Sequence, residues 1–342
     1  MRVPAMPSLS DPLNAHALPR FTVPLKKVAD LLAETQATAL DTFPGQVIYQ
    51  RGLRTTMFQL QALGRVYRRW NLDKPLFDSI RRESKILEDA IGFVDFWNVL
   101  AQKSIAWALP ITVRQLAHDR YREACGRAWA WVEAQDWISS RYHTDEVILT
   151  ELFQRKLKKV TWYTPGKEAK VLRKWLVREL RKIHRNIQAL DLDELELGLH
   201  EARRAVRWIS IYFSAMDGAF VLDASTPPPD HWGIYLSDDI TQNPFNKLPA
   251  PEAHDKPLTI PAYLLYALSY LIDHLGRIKD KAQWTETVTH LLQLTGEQAD
   301  LSAAMKDDFL EAQAACDQGK KLLDQVLVKD ALLLRLADCL DK

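Results

Sequence analysis

Four residues hold the densest grouping of chemically capable side chains in this 342-residue chain. His200, Arg203, Arg204 and Arg207 stand at i, i+3, i+4 and i+7, so one helix face carries all four. On the same segment Leu195, Leu199, Ala202, Val206, Ile209, Phe213, Met216 and Phe220 recur at steps of four and three. That spacing draws an apolar stripe, and the basic face is expected to turn away from it. Like charges so grouped repel one another, and a multivalent anion relieves the repulsion. Arginine suits phosphate in particular, because its planar fork donates two parallel hydrogen bonds.

A second basic grouping precedes it. Residues 155–185 contain twelve Lys or Arg and two acids, Glu168 and Glu179, although the whole chain carries a net charge of only +1. Lys170, Lys174, Arg178, Arg181 and Arg185 form a stripe opposite Leu172, Leu176, Leu180, Ile183, Ile187 and Leu190. A solvated helix face gives the same pattern, as does a polyanion surface.

Catalytic signatures are absent from the sequence. It has no phosphate-binding Gly-rich loop, no H-E-x-x-H and no G-x-S-x-G. His118-Asp119 stands alone as a dipeptide. Asp89 with Asp95, and Asp273 with Asp280, are expected to cap helices or to pair with arginines rather than to hold a metal. The cysteines Cys125, Cys316 and Cys339 are odd in number and far apart, which reads as idle thiols of a reducing compartment. Trp129, Trp131, Trp137 and Trp162 are expected in the core or at interfaces before they are expected to stack bases. The chain is not expected to be an enzyme, and no cofactor or metal is implied.

These residues have to be positioned by helices. Gly is scarce at 12, and Leu, Ala, Arg, Lys and Glu dominate the main segments, all residues that lose little freedom in a helix. No alternating β-branched run argues for a sheet. The expected fold is all-α, with helical blocks at about 26–42, 46–73, 76–107, 111–161, 167–190, 193–222, 262–296 and 298–341. The blocks at 167–190 and 193–222 are expected to pack antiparallel across a short turn at Asp191–Asp193. Prolines divide the chain into a flexible tail over 1–25, a first helical bundle over 26–165 and a second over 166–342. A Pro-rich insertion at about 224–261 interrupts the second bundle. The acids Asp217, Asp223, Asp230, Asp238 and Asp239 run into that insertion and are expected in a flexible acidic loop; a fold of that loop over the basic face, in competition with an anion, is the second reading. No run of about 20 apolar residues implies a membrane span, and a cytoplasmic location is the default expectation.

The segment Leu199-His-Glu-Ala-Arg-Arg-Ala-Val-Arg resembles the signature of the CHAD family, the conserved histidine α-helical domain. A second element of that family is a leucine-rich helix ending in Leu-Gly with an Asp a few residues on. It looks duplicated here, as Leu87-Glu-Asp-Ala-Ile-Gly-Phe-Val-Asp95 and Ile272-Asp-His-Leu-Gly-Arg-Ile-Lys-Asp280. Arg51-Gly-Leu-Arg54 looks like a remnant of the first histidine helix, with Arg51 where the histidine would stand. The resemblance covers roughly 46–296. It implies two pseudo-symmetric antiparallel helical bundles from an internal repeat, and a basic surface for inorganic polyphosphate lined by His200, Arg203, Arg204 and Arg207. The sequence departs from the family in the first copy, which lacks the histidine. It departs again after Arg207, where Trp208, Ile209 and Ser210 replace the usual basic residues. Three readings of function therefore stand side by side. The first is a polyanion-binding module. The second is a helical scaffold or homodimer with no small ligand. The third is a nucleic-acid binder through 155–185.

Overall fold

Prolines and side-chain caps set several of the helix starts. The computed structural model describes residues 16–38, 43–139, 147–248 and 257–341. Helix α1 is Ala17–Ala37, α2 Pro44–Gln50, α3 Leu53–Arg69, α4 Lys74–Ala106, α5 Ile111–Ala134, α6 Leu149–Leu157 and α7 Pro165–Gln188. Asp73 opens α4 by accepting from the Leu76 amide at 3.1 Å, with Pro75 in the first turn. Thr164 opens α7 the same way at Lys167, ahead of Pro165. Both are helix-start chemistry in which an orphan amide finds a side-chain oxygen. A π-helical turn, Leu195–His200, runs directly into α8, Glu201–Ala215. After α9 (Asp238–Thr241), the long α10 spans Ala262–Thr295 and ends on the left-handed Gly296. The C-terminal part holds α11 (Leu301–Met305), α12 (Ala312–Leu323) and α13 (Leu332–Asp341). Among the described residues, no helix is long and apolar enough to cross a membrane.

The all-α expectation holds, and the leucine stripes behave as read. Leu172, Leu176, Leu180, Ile183 and Ile187 are buried, as are all eight apolar positions from Leu195 to Phe220. Their partners differ from the expectation. Helix α7 packs chiefly against α13, and α8 chiefly against α3, with a smaller α7–α8 contact. Helix α13 carries an apolar stripe of its own (Leu332, Leu333, Leu336, Leu340), which is buried, and α7 lies against that helix.

Three further expectations need correction. Residues 17–25 are not a tail: α1 starts at Ala17, continues through Pro24, and buries Arg20, Phe21, Pro24 and Leu25. A proline costs a helix one hydrogen bond, and burial of its neighbours outweighs that here. Residues 1–15 lie outside the described residues. The described part of the Pro-rich insertion, 224–248 and 257–261, is not structureless either; 249–256 lie outside the described residues. Strands β1 (Phe220–Asp223) and β2 (Leu258–Pro261) pair in parallel, Phe220 opposite Leu258. Between them Trp232 and Tyr235 are buried, and Asp330 accepts hydrogen bonds from Tyr235, from His231 at 3.0 Å and from Gln325 at 3.1 Å. Lastly, the 111–161 block is broken, with α5 ending at Ala134; part of the break, 140–146, lies outside the described residues.

One core cluster runs from Ala17 through Met57, Leu87, Leu172 and Leu199 to Leu340, so it draws on both of the halves expected from the repeat. A smaller one joins the ends of α4 and α10 through Leu100, Trp107, Val288 and Met305. The α1 end is fastened by ions. Glu168 of α7 takes a hydrogen bond from His16 at 2.9 Å and another from Arg20. Arg20 also donates to the Tyr67 hydroxyl at 2.9 Å and to the carbonyl of Asp217. Burial pushes the Glu168 carboxyl up, but His16 and Arg20 outweigh it and hold it below the ordinary range.

Candidate functional site

Helices α3 and α8 cross with arginines between them. On α3, Arg54, Phe58, Gln61 and Arg65 follow one another at steps of four, three and four, which is one face. On α8, Arg203 and Arg207 meet that face beside Trp208. The Arg207 guanidinium lies 4.5 Å from the centre of the Phe58 ring, and Arg54 lies 5.5 Å from the same ring. Arg65 lies 3.8 Å over Trp208. Stacking of this kind favours Arg over Lys, because the flat, weakly hydrated guanidinium tolerates an aromatic face.

Two glycines make room for the cations. A Cβ on Gly92 of α4 would sit 2.9 Å from Arg54 Nη2, and one on Gly276 of α10 would sit 3.1 Å from Arg203 Nε and Nη2. These are the glycines of the two segments that the sequence reading compares, and each lies against an arginine side chain. Arg54 is neutralised by Glu88 at 2.9 Å and Asp95 at 2.6 Å, and Asp95 also accepts from Tyr49. Asp273 instead pairs with Arg277 and Asp280 with Lys279. The four acids that could have been metal ligands therefore pair with cations, since Asp89 is taken by Lys85. Among the described residues no group of acids, histidines and cysteines is arranged for a metal.

Arg203 and Arg207 are left different from Arg54. Both are half-buried, and among the described residues neither has an ion pair or hydrogen bond; the Arg203 Nε is fully shielded from solvent. Burial lowers the pKa of Arg203, and Arg54 lowers it further against the pull of Asp280. Burial, together with Arg203 and Arg54, brings that of Arg207 down to about 10 against the pull of Glu88 and Asp95. Both effects disfavour the charged form. Close by, Gln61 is fully buried with both amide atoms unpartnered. His200 ends the π-helical turn, a local widening that often marks a functional position. Burial lowers its pKa, Glu196 at 3.8 Å opposes this, and Lys279, Arg203 and Arg204 add to it. The turn depends on Gly198, where a Cβ would collide with the Asp191 carbonyl.

The structure splits the set of residues read from the sequence. His200, Arg203, Arg207 and Arg54 come together between α3, α4, α8 and α10. They do not face away from the core as expected, because Phe58, Gly92 and Gly276 draw the guanidiniums inward. Arg204 is exposed and bound to Glu201 at 2.6 Å. Arg51 is exposed and forks onto Glu34 at 2.5 and 2.8 Å. Lys170, Lys174, Arg178 and Arg181 line a separate groove between α7 and α13. Among the described residues, the acidic insertion meets α10 through Asp239, 4.0 Å from Arg277. Trp137 and Trp162 are buried, in line with the core reading. Phe58, Gln61 and Arg65 were missed; their i, i+4, i+7, i+11 spacing from Arg54 was the available signal.

The chain matches no family model, no curated protein and no solved structure.

Proposed function

We propose that the chain is a divergent relative of the CHAD family that binds a phosphate-rich polyanion, inorganic polyphosphate foremost, between α3 and α8. One observation carries the reading: Arg203 and Arg207 are half-buried, stand beside a third arginine, and make no ion pair among the described residues, the acids near them being paired with Arg54, Arg277 and Lys279. An unpaired, partly desolvated cation costs several kcal/mol. A bound polyanion offsets that cost in the complex, and a site partly shielded from water strengthens the attraction. Guanidinium forks favour phosphate oxygens, and several of them together favour a chain of phosphates over a single carboxylate.

The Gly92–Arg54 and Gly276–Arg203 contacts support the internal repeat behind this reading, since equivalent segments supply equivalent pairs. The asymmetry between the halves has a functional sense under it. Glu88 and Asp95 silence Arg54, so the second copy supplies the free charge.

The test is fluorescence polarisation of labelled polyphosphate with the wild type and with R203A/R207A. The reading expects at least a tenfold loss of affinity and a shallower salt dependence in the variant. Equal affinity in the two proteins would remove the α3–α8 site from consideration.

A further inference from the structure

The groove between α7 and α13 belongs to neither the arginine site nor the core. Lys170, Arg173, Lys174, Arg178 and Arg181 line it from α7, and Asp341 lines it from α13; its volume is about 310 Å³. Lys170, Lys174 and Arg178 are exposed, and these three with Arg173 have no ion-pair partner among the described residues. A step of four residues sets cations about 6 Å apart along the helix axis. The opposite side has the other sign. Asp338 and Asp341 each accept from Arg181 at 3.1 Å while remaining largely open to solvent.

That pairing of walls discriminates between ligands. Each of Asp338 and Asp341 keeps one carboxylate oxygen beyond its bond to Arg181, so this wall offers hydrogen-bond acceptors, which a pure polyphosphate cannot use. A nucleic-acid strand has phosphates on one edge and amino groups on the other, and carboxylates accept hydrogen bonds from base amino groups such as cytosine N4. A duplex would instead turn a second phosphate row toward the acids. The aromatic residues that stack bases in many single-strand sites are not available here: Trp162 is buried, and Tyr163 is covered by Lys167 at 3.9 Å. Recognition therefore has to come from the backbone row and the base edges.

We infer that the α7–α13 groove is a second binding site, distinct from the arginine site, and that it takes single-stranded nucleic acid with its phosphates along α7 and its base edges toward Asp338 and Asp341.

The experiment measures binding of a labelled single-stranded oligocytidylate to the full chain across a salt series. The four unpaired cations predict a slope of log affinity against log salt of about −3. In K170A/K174A/R178A, whose changes are all on an exposed face, affinity falls at least tenfold and the slope shrinks by about 2. R203A/R207A binds the strand as the wild type does, which separates this site from the polyphosphate reading. An abasic strand of equal length binds several-fold more weakly. The inference is overturned if the wild type does not bind the strand at low salt. It is also overturned if the triple variant binds normally or if R203A/R207A abolishes binding. Equal binding of the abasic strand would make the groove a general phosphate surface and likewise sink the assignment.

Discussion

His200 ties the arginine site to pH. Burial, with help from three neighbouring cations, keeps its pKa below the ordinary 6.5, so the imidazole is neutral near pH 7. A bound polyanion supplies opposite charge and raises that pKa, so binding takes up a proton. Affinity for polyphosphate should then rise as the pH falls from 7.5 to 5.5, and H200Q should flatten that rise. A wild-type profile as flat as that of H200Q would detach the histidine from the site. The sign for the free protein is opposite. A histidine whose pKa is lowered by folding contributes its full stability above about pH 6.5 and loses it as the pH drops toward the folded value. His200, Arg203 and Arg207 were legible as a group because helix spacing alone joins them. Which arginines stay unpaired was not. Glu201 lies three residues from Arg204, and Glu34 lies far from Arg51 in sequence, but only coordinates show that both ion pairs form.

At the scale of elements, α4 and α10 act as walls that press one glycine each against an arginine. G276A tests that role. Alanine favours a mid-helix position over glycine by roughly 1 kcal/mol, so melting should hold steady or rise slightly. The added methyl meets the movable end of the Arg203 side chain at 3.1 Å, and polyphosphate affinity should fall several-fold. A lower melting temperature with unchanged affinity would mean that Gly276 serves packing alone. Helices α7 and α8 were readable from their stripes, since a run of leucines at steps of three and four has few other solutions. Strands β1 and β2 were not. Each has four residues, too few to display alternation, and their parallel pairing joins segments separated by the Pro-rich stretch. Helix α1 was hidden because Pro19 and Pro24 read as breakers, while Phe21, Leu25 and Val28 bury the face that holds it together.

At the scale of the molecule, α1 is joined to α7 and to the loop after α8 through Arg20 and Glu168. R20M would leave the Glu168 carboxylate buried with His16 as its remaining ionic partner. Removing one member of a buried ion pair costs about 3–5 kcal/mol, and urea unfolding should register a loss of that order. A loss below about 1 kcal/mol would restore the reading of this region as a dispensable tail. Pairing of whole helices was the least legible level. Sequence neighbours α7 and α8 do touch, as expected, but α7 meets α13 and α8 meets α3 more extensively. That arrangement brings Arg54 of α3 to Arg203 and Arg207 of α8.

If α3 and α8 hold arginines unpaired for a polyanion, a thermal-melting titration shows it. Wild type and R207M are melted without and with saturating polyphosphate. The account predicts that R207M melts about 2 °C or more above the wild type when no anion is present, since a half-buried unpaired charge has been replaced by an apolar side chain. It predicts that added polyphosphate then raises the wild type more than the variant. An R207M protein that melts lower without anion, and that gains as much as the wild type on adding it, would contradict the account.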